Sequence, residues 1–327
     1  MLIPILLFIV GLIFLIKGGG WFVDGATGIA HRFKVPELLI GATVVSCGTT
    51  LPEVMVSATS ALSGHGEIAY GNAIGSIICN TALIAAITIA IKPSKVDRKS
   101  LKAPVIFFFV AAIFYVATAY ITGAFTRLTG IILLVMFLVY MTYSVIQARK
   151  TPEAVASKGA EQDAQEASEE GPVLKDIALL IVGAALIAVG ADLLVDNGTL
   201  IAEAIGVPES VIALTFVALG TSLPELVTAI TSLAKGHGAL SLGNIVGANL
   251  FNLVFVSGVA TVLAPFSLPQ GKTVAGINAS LVVDIPIMLF VMIFMTIPAL
   301  IRGKLSRAQG IILLLIYAAF CAFQFLS

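Results

Sequence analysis

Charged residues are scarce in this chain. Asp, Glu, Lys and Arg make up 11% of its 327 residues, whereas hydrophobic residues make up 59%. An ordinary soluble domain carries about a quarter charged residues, so the composition excludes a fold with the usual charged, water-exposed surface. The formal net charge is zero, which gives no sign of a nucleic-acid partner. The composition predicts an integral protein of the lipid bilayer.

Cysteine and histidine are also rare. The three cysteines, Cys47, Cys79 and Cys321, lie in apolar stretches without the spacing of a disulfide framework, so they are expected to be buried thiols. The three histidines form no His-Glu-x-x-His zinc motif, and no Ser–His or Cys–His pair lies at a common depth. We therefore expect neither a resident cofactor nor an enzymatic activity.

Long apolar runs fill most of the chain. A transmembrane helix needs about 20 mostly apolar residues. The first run lacks the basic opening and small-residue cleavage site of a signal peptide, so we interpret it as a span. The expected fold is an all-α membrane protein of ten transmembrane helices. The predicted spans are residues 3–22, 37–62, 68–91, 102–120, 126–147, 174–193, 208–234, 240–264, 277–299 and 308–326.

One long polar stretch divides the chain. Residues 148–173 are rich in Ala, Glu, Gln and Lys and predict a flexible linker between five spans at 1–147 and five at 174–327. Sixteen Lys and Arg residues follow odd-numbered spans, against only Arg127 and Lys272 on the opposite side. The positive-inside rule then places the linker in the cytoplasm and both termini outside. The compact chain suggests a bacterial or archaeal inner (plasma) membrane.

The two halves repeat each other at a constant offset of 172 residues. Gly48-Thr49-Thr50-Leu51-Pro52-Glu53 recurs as Gly220-Thr221-Ser222-Leu223-Pro224-Glu225, and Gly71-Asn72 recurs as Gly243-Asn244. Residues 48–80 match 220–252 at 14 of 33 positions, where composition alone predicts roughly two or three matches. This is an internal duplication. Because each half has five spans, the halves are expected to cross the membrane in opposite directions, as in many secondary transporters.

The repeated segment places a carboxylate within each half of the membrane domain. Glu53 and Glu225 lie deep in their spans, and no Lys or Arg lies at a comparable depth. A charged side chain at the bilayer centre costs at least about 2.5–3.5 kcal/mol, so each carboxylate needs a partner. Pro52 and Pro224 cannot donate a backbone hydrogen bond and are expected to free nearby carbonyl oxygens. A mobile cation is the natural partner.

Further oxygen donors follow the same spacing. Thr49 lies four residues before Glu53, as Thr221 does before Glu225, so each pair is expected to share a helix face. Ser76 and Asn80 share a face of the next span, where Asn252 repeats Asn80. Oxygen-only coordination suits hard ions such as Ca²⁺, Na⁺, Mg²⁺ and Mn²⁺.

At these residues the chain resembles the calcium/cation antiporter superfamily, and within it the prokaryotic sodium/calcium exchangers. The resemblance covers nearly the whole chain. It implies exchange of Ca²⁺ for Na⁺ by alternating access, with both ions as transported substrates and a monomer as the functional unit. It also implies a ligand set in which Glu53 and Glu225 are central. The other implied ligands are Thr49, Thr221, Thr50, Ser222, Ser76, Asn80, Asn252 and the carbonyl oxygens of Ser46 and Ala218.

Two features leave alternatives open. Relatives often carry Asp at position 252 and Ser at position 248, where this chain has Asn252 and Ala248. The site then has one carboxylate fewer than in such relatives, which leaves H⁺ and K⁺ open as coupling ions. The nearest rival is therefore a cation/proton antiporter that uses the same glutamates. A channel is a second rival from another class, but inverted repeats are typical of alternating access.

Overall fold

The computed structural model describes residues 2–150, 172–204, 220–270 and 273–326, and these are almost entirely helical. Helices α1 to α6 belong to the first half and α7 to α11 to the second. The first six are α1 (Leu2–Arg32), α2 (Glu37–Thr49), α3 (Leu51–Leu62), α4 (Gly66–Ile91), α5 (Arg98–Thr122) and α6 (Arg127–Lys150). The last five are α7 (Val173–Ala204), α8 (Leu223–Ala234), α9 (Gly238–Leu263), α10 (Ser280–Arg302) and α11 (Arg307–Leu326).

The described helices confirm a multi-span membrane fold. Eight of them are long and apolar enough to cross a bilayer, and α2 with α3 makes a ninth, bent by 44°. The predicted span 208–234 is described only from Gly220 onward, where α8 is too short to count alone. Most of the predicted linker lies outside the described residues. Helix ends differ from the predicted bounds chiefly at α1, which continues to Arg32 beyond residue 22, and at α7, which continues to Ala204 beyond residue 193.

Short strand pairs join the loops at two places. Residues Ala124–Phe125 pair antiparallel with Phe266–Ser267, and Thr273–Val274 pair with Ile277–Asn278. The first pair connects a loop of one half to a loop of the other. These four two-residue strands and an isolated bridge between Lys95 and Lys304 are the only β-structure that the described residues show, and the all-α expectation otherwise holds.

Helix α1 lies antiparallel along α7 at close range. A Cβ atom on Gly18 would lie 2.9 Å from the Gly183 carbonyl oxygen, and one on Gly11 would lie 2.9 Å from the Gly190 carbonyl oxygen. A larger residue would hold the two backbones apart. Close van der Waals packing of this kind is what mainly holds apolar helices together in a membrane. The two helices therefore form a tight pair along one side of the other helices.

Helix α2 crosses α9 just as closely. A Cβ atom on Gly243 would collide with the Leu38 carbonyl oxygen, and one on Gly247 would collide with the Ser46 hydroxyl. The crossing joins the first half to the second. It also brings the end of α2, which carries the repeated motif, against the Gly-Asn segment of α9.

Ion pairs tie α1 to the other half at one end of the bundle. Lys235 Nζ lies 2.6 Å from Asp24 Oδ1 and donates a 2.9 Å hydrogen bond to the Gly20 carbonyl oxygen. Arg32 Nε lies 3.2 Å from Asp176 Oδ2. Lys235 follows α8 and Asp176 lies in α7, so α1 is held to both of these helices at this end.

His237 adds a pH-dependent contact at the same end. Its Nδ1 lies 2.8 Å from Glu37 Oε1, and His31 Nε2 lies 3.8 Å from the same oxygen. The hydrogen bond to Glu37 raises the pKa of His237 above its ordinary value. Partial burial and Lys235 oppose this rise, while Asp24 adds to it.

We expect Gly243→Ala to destabilise the fold strongly, because its Cβ would meet backbone atoms of α2 that cannot move aside independently. The loss should be about 1–3 kcal/mol, read as a lower melting temperature in detergent. Gly20→Ala is the control: its Cβ would meet only Lys235 Nζ, at 3.7 Å. An alanine there should be neutral or stabilising, and equal losses in both variants would contradict the close crossing.

The His237–Glu37 contact should make stability fall as the pH rises. Because the folded pKa is raised, the contribution is complete below the unfolded value of about 6.5 and disappears as the pH passes the folded pKa. Melting curves across this range should show that slope, and His237→Gln should flatten it. His65→Gln, at the exposed repeat-equivalent position, should leave the slope unchanged.

Candidate cation-binding site

The two repeated glutamates lie at the centre of the molecule. Glu53 and Glu225 are both fully buried, and their carboxylates are close enough to repel each other electrostatically. Each occupies the first turn of its helix, Glu53 in α3 and Glu225 in α8. The helix dipole at such a position stabilises a carboxylate by about 0.3–1 kcal/mol, and at most about 2 kcal/mol. That is less than the cost of burying the charge and the mutual repulsion together.

Two amides complete the centre. Asn80 and Asn252 are fully buried, and both begin π-helical turns, Asn80–Ala85 and Asn252–Val256. Such turns are rare and recur at functional sites, because they widen the helix and shift backbone groups out of the regular pattern. The same kind of local distortion therefore begins at repeat-equivalent positions in the two halves.

The central side chains have no protein partners. Within the described part of the chain, both polar side-chain atoms of Glu53, Glu225, Asn80 and Asn252 are buried without a hydrogen bond. The Thr50 hydroxyl is also buried without a hydrogen bond. Buried polar groups are nearly always paired, and an unpaired one costs about 1–3 kcal/mol, more when it is charged. A cluster of such oxygens fits a bound cation.

The threonines of the motif contact the opposite half of the chain. Thr49 donates to Asn244 Oδ1 at 3.2 Å and lies beside the Glu225 carboxylate. Thr221 donates to Asn72 Oδ1 at 3.3 Å. Thr49 is the last residue of α2, and the chain bends by 44° before α3, so the expectation that Thr49 shares a helix face with Glu53 stays a prediction.

The prolines lie at the starts of helices instead of interrupting one. Pro52 and Pro224 occupy the first turn of α3 and α8, where a missing amide hydrogen costs nothing. The Gly220 carbonyl oxygen accepts a 3.3 Å hydrogen bond from the Leu223 amide, so it is not free as predicted. The breaks expose helix ends at the level of the carboxylates.

The remaining predicted ligands divide into three groups. Ser76 and Ser222 are buried beside the centre. The Ser46 carbonyl oxygen accepts from the Thr50 amide at 3.0 Å and faces the Thr49 hydroxyl at 3.5 Å. Ala218 lies outside the described residues, so its carbonyl remains a prediction.

Sequence reasoning left out several polar residues of this region. Asn72 donates to the Glu53 carbonyl oxygen at 3.1 Å and to Ser57 Oγ at 2.8 Å. Asn244 Oδ1 accepts from Thr49, and the Asn244 carbonyl oxygen lies 2.9 Å from Ser46 Oγ. Thr228, one turn after Glu225, is also fully buried. The repeated Gly-Asn motif was the signal for the two asparagines, although it gave no indication of their partners.

A small cavity adjoins the centre on the side of the α1–α7 pair. Apolar side chains form most of its walls, so it offers an ion little beyond the Thr49 hydroxyl. It is lined by Phe22, Gly48, Thr49, Pro52, Ala184, Ile187, Ala188 and Pro224. The α1–α7 pair therefore closes over both proline breaks.

The ligand chemistry is that of a hard cation. The described residues contain no group of three or more His, Cys, Asp or Glu side chains that could hold a metal ion by themselves. The centre instead joins two carboxylates with amide and hydroxyl oxygens. Such mixed oxygen sites suit Ca²⁺ and Na⁺ and disfavour thiophilic metals.

A multi-span helical fold around buried oxygen donors defines a membrane transporter. The chain belongs to the sodium/calcium exchanger protein family, whose model matches residues 3–146 and 175–326. This confirms the family expected from the repeated motifs.

Relatives match over almost their full length. The putative antiporter CaxA of Alkalimonas amylolytica is 34% identical, over 100% of this chain and 99% of its own. An uncharacterised membrane protein of Methanocaldococcus jannaschii, MJ0091, is 32% identical over 95% and 94%. A solved structure of the sodium-calcium exchanger NCX_Mj, soaked with Na⁺ and Sr²⁺, superposes with a TM-score of 0.82 at 30% identity, covering 98% of both chains.

Because the central charges have no protein partner, cations should stabilise the protein. At 100 times its dissociation constant, a bound ion adds about 2.7 kcal/mol to the free energy of unfolding. We expect Ca²⁺ to raise the melting temperature in detergent, and Glu53→Gln or Glu225→Gln to abolish this rise. Glu67→Gln, on an exposed surface, should retain it. A rise that persists without either glutamate would place the ion elsewhere.

Proposed function

We propose that this chain exchanges Ca²⁺ for Na⁺ across the membrane by alternating access, with Glu53 and Glu225 as the shared central ligands. The observation that carries the proposal is the pair of fully buried carboxylates without hydrogen-bond partners in the described chain. Family membership and the likeness to a sodium–calcium exchanger structure support the choice of ions.

The charge of the site explains why transport is an exchange. With both glutamates ionised, one Ca²⁺ or two Na⁺ makes the centre neutral, and a third Na⁺ leaves one positive charge. The empty site carries two negative charges, which are costly to move through an apolar environment. The conformational change is therefore favoured only when Ca²⁺ or Na⁺ occupies the site.

The proposal includes ten spans in two inverted halves. The contacts of the two halves with each other support this: Thr49 of the first reaches Asn244 of the second, and Thr221 reaches Asn72 in return. A two-fold axis in the membrane plane would generate such an exchange. Positive residues around the predicted linker support a cytoplasmic linker with both termini outside.

The remaining ligand assignments follow the same symmetry. Thr49 and Thr221 would bind Ca²⁺ together with the glutamates, while Asn80 and Asn252 would line the centre. Thr50, Ser76 and the Ser46 carbonyl oxygen would form a flanking Na⁺ site. Ser222 and the Ala218 carbonyl oxygen would form its counterpart. These ions are the transported substrates, and the site requires no further cofactor.

A cation/proton antiporter is the second candidate. It is favoured by Asn80 and Asn252, both neutral, which leave only two carboxylates in the described centre. Such a site would bind fewer Na⁺ ions per Ca²⁺, and its glutamates could carry protons instead.

Uptake of radiolabelled Ca²⁺ into proteoliposomes separates these candidates. Vesicles loaded with Na⁺ should take up Ca²⁺, whereas vesicles loaded with K⁺, or with a proton gradient alone, should not. Glu53→Gln and Glu225→Gln should each reduce uptake at least 100-fold, the scale of losing an interaction with a charged group of about 3 kcal/mol.

The exposed Glu67→Gln variant is the matched control and should transport normally. Uptake driven by the proton gradient would show that H⁺, and not Na⁺, is the coupling ion. Uptake that needs no counter-ion would indicate a channel, and uptake that survives both central substitutions would disprove the two-glutamate site.

A further inference from the structure

Two asparagines outside the ligand set form matching bonds across the halves. Asn244 Oδ1 accepts the Thr49 hydroxyl at 3.2 Å, and Asn72 Oδ1 accepts the Thr221 hydroxyl at 3.3 Å. The asparagines are repeat equivalents, and so are the threonines. Each threonine is therefore held by the half of the chain to which it does not belong.

The direction of these bonds decides what the hydroxyl oxygens can do. A threonine hydroxyl has one proton to donate and two lone pairs to offer. Elsewhere in this chain, Thr27, Thr43 and Thr59 donate that proton to the carbonyl oxygen four residues earlier in their own helix. Thr49 and Thr221 instead have an asparagine of the other half as their nearest acceptor, since the Ser46 carbonyl oxygen in the helix of Thr49 lies farther from its hydroxyl, at 3.5 Å. Their lone pairs are then free to face a cation, and the proton points away from it.

The amide of Asn72 makes further hydrogen bonds, whereas the Asn244 Nδ2 has no hydrogen-bond partner among the described residues. Asn72 donates to the Glu53 carbonyl oxygen at 3.1 Å and to Ser57 Oγ at 2.8 Å. Asn244 is fully buried, and its backbone carbonyl oxygen lies 2.9 Å from the Ser46 hydroxyl, which is also 2.8 Å from the Gly41 carbonyl oxygen. With these bonds made, the Oδ1 atoms already have hydroxyl donors, so they are poorly suited to contact an ion directly.

We propose that Asn72 and Asn244 are positioning residues, which orient the Thr221 and Thr49 hydroxyl groups so that their lone pairs bind the transported cation. The inference rests on the proposed function for the identity of the ion. It extends that function by coupling the halves: each half supplies the acceptor that prepares a ligand of the other. A movement that separates α9 from α2 would thus also change the orientation of a ligand.

The test is a pair of double-mutant cycles. Thr49→Val and Asn244→Leu should each raise the half-saturating Ca²⁺ concentration about ten-fold, the scale of one hydrogen bond or ligand contact of about 1.4 kcal/mol. The double variant should also lose about ten-fold, and not 100-fold, because the asparagine acts through the threonine. Thr221→Val with Asn72→Leu should behave in the same way.

Crossed pairs provide the matched control. Thr49→Val with Asn72→Leu, and Thr221→Val with Asn244→Leu, combine the same substitutions without a shared hydrogen bond, so their losses should multiply. A Thr49→Ser background keeps the hydroxyl, and Asn244→Leu should retain its full effect there. A merely structural role for the asparagines would give the same losses whether or not the threonine hydroxyl is present.

Two readouts keep the inference separate from the proposed function. Half-saturation is measured in exchange assays, and cation-induced stabilisation is measured in detergent with Na⁺, K⁺ and Ca²⁺ in turn. A wild-type chain without Na⁺-driven Ca²⁺ uptake would disprove the proposed function, while the cycles would still be decided with whichever cation stabilises the protein. Native pairs that couple no more than the crossed pairs would overturn the positioning role.

Discussion

The burial of two carboxylates without a fixed counter-charge is the constraint on which the rest of the structure depends. Glu53 and Glu225 stand in an apolar protein at the first turns of α3 and α8. The helix dipoles stabilise each by about 1 kcal/mol, whereas burying a charge costs several times more. A lysine or arginine would satisfy them permanently. None does so in the described chain, and under the proposed function an exchangeable cation would supply the missing charge.

The helices around the two carboxylates are irregular. Prolines at helix starts break the chain at the level of the carboxylates, and π-helical turns begin at Asn80 and Asn252. These irregularities would be costly in contact with lipid, where every backbone group must be paired within the protein. Here they are buried by α9, by α4 and by the closely packed α1–α7 pair. The regular, apolar helices outside therefore separate the irregular centre from lipid.

Much of this was predictable from the sequence, because it depends on composition and repetition. The spans, the central glutamates and the oxygen-rich ligand chemistry all follow from patterns that hydropathy and self-comparison detect. The partners of Thr49 and the roles of Asn72 and Asn244 do not. They depend on how closely α2 crosses α9, and that distance is set by tertiary packing at Gly243 and Gly247. The end of the helix at Thr49 was missed because Pro52 fits an interrupted helix equally well.

The duplication produced two sites of similar form but unequal detail. Ser57 accepts a hydrogen bond from Asn72, whereas its repeat equivalent is Ala229, which has no acceptor to offer Asn244. Lys235 pairs with Asp24, whereas the equivalent of Lys235 is Ser63, which cannot form an ion pair with Asp196. A strictly symmetric transporter would have equal energies in its two orientations. Under the proposed alternating access, these differences would give the two orientations different energies, so the sequence would set their balance without changing the central ligands.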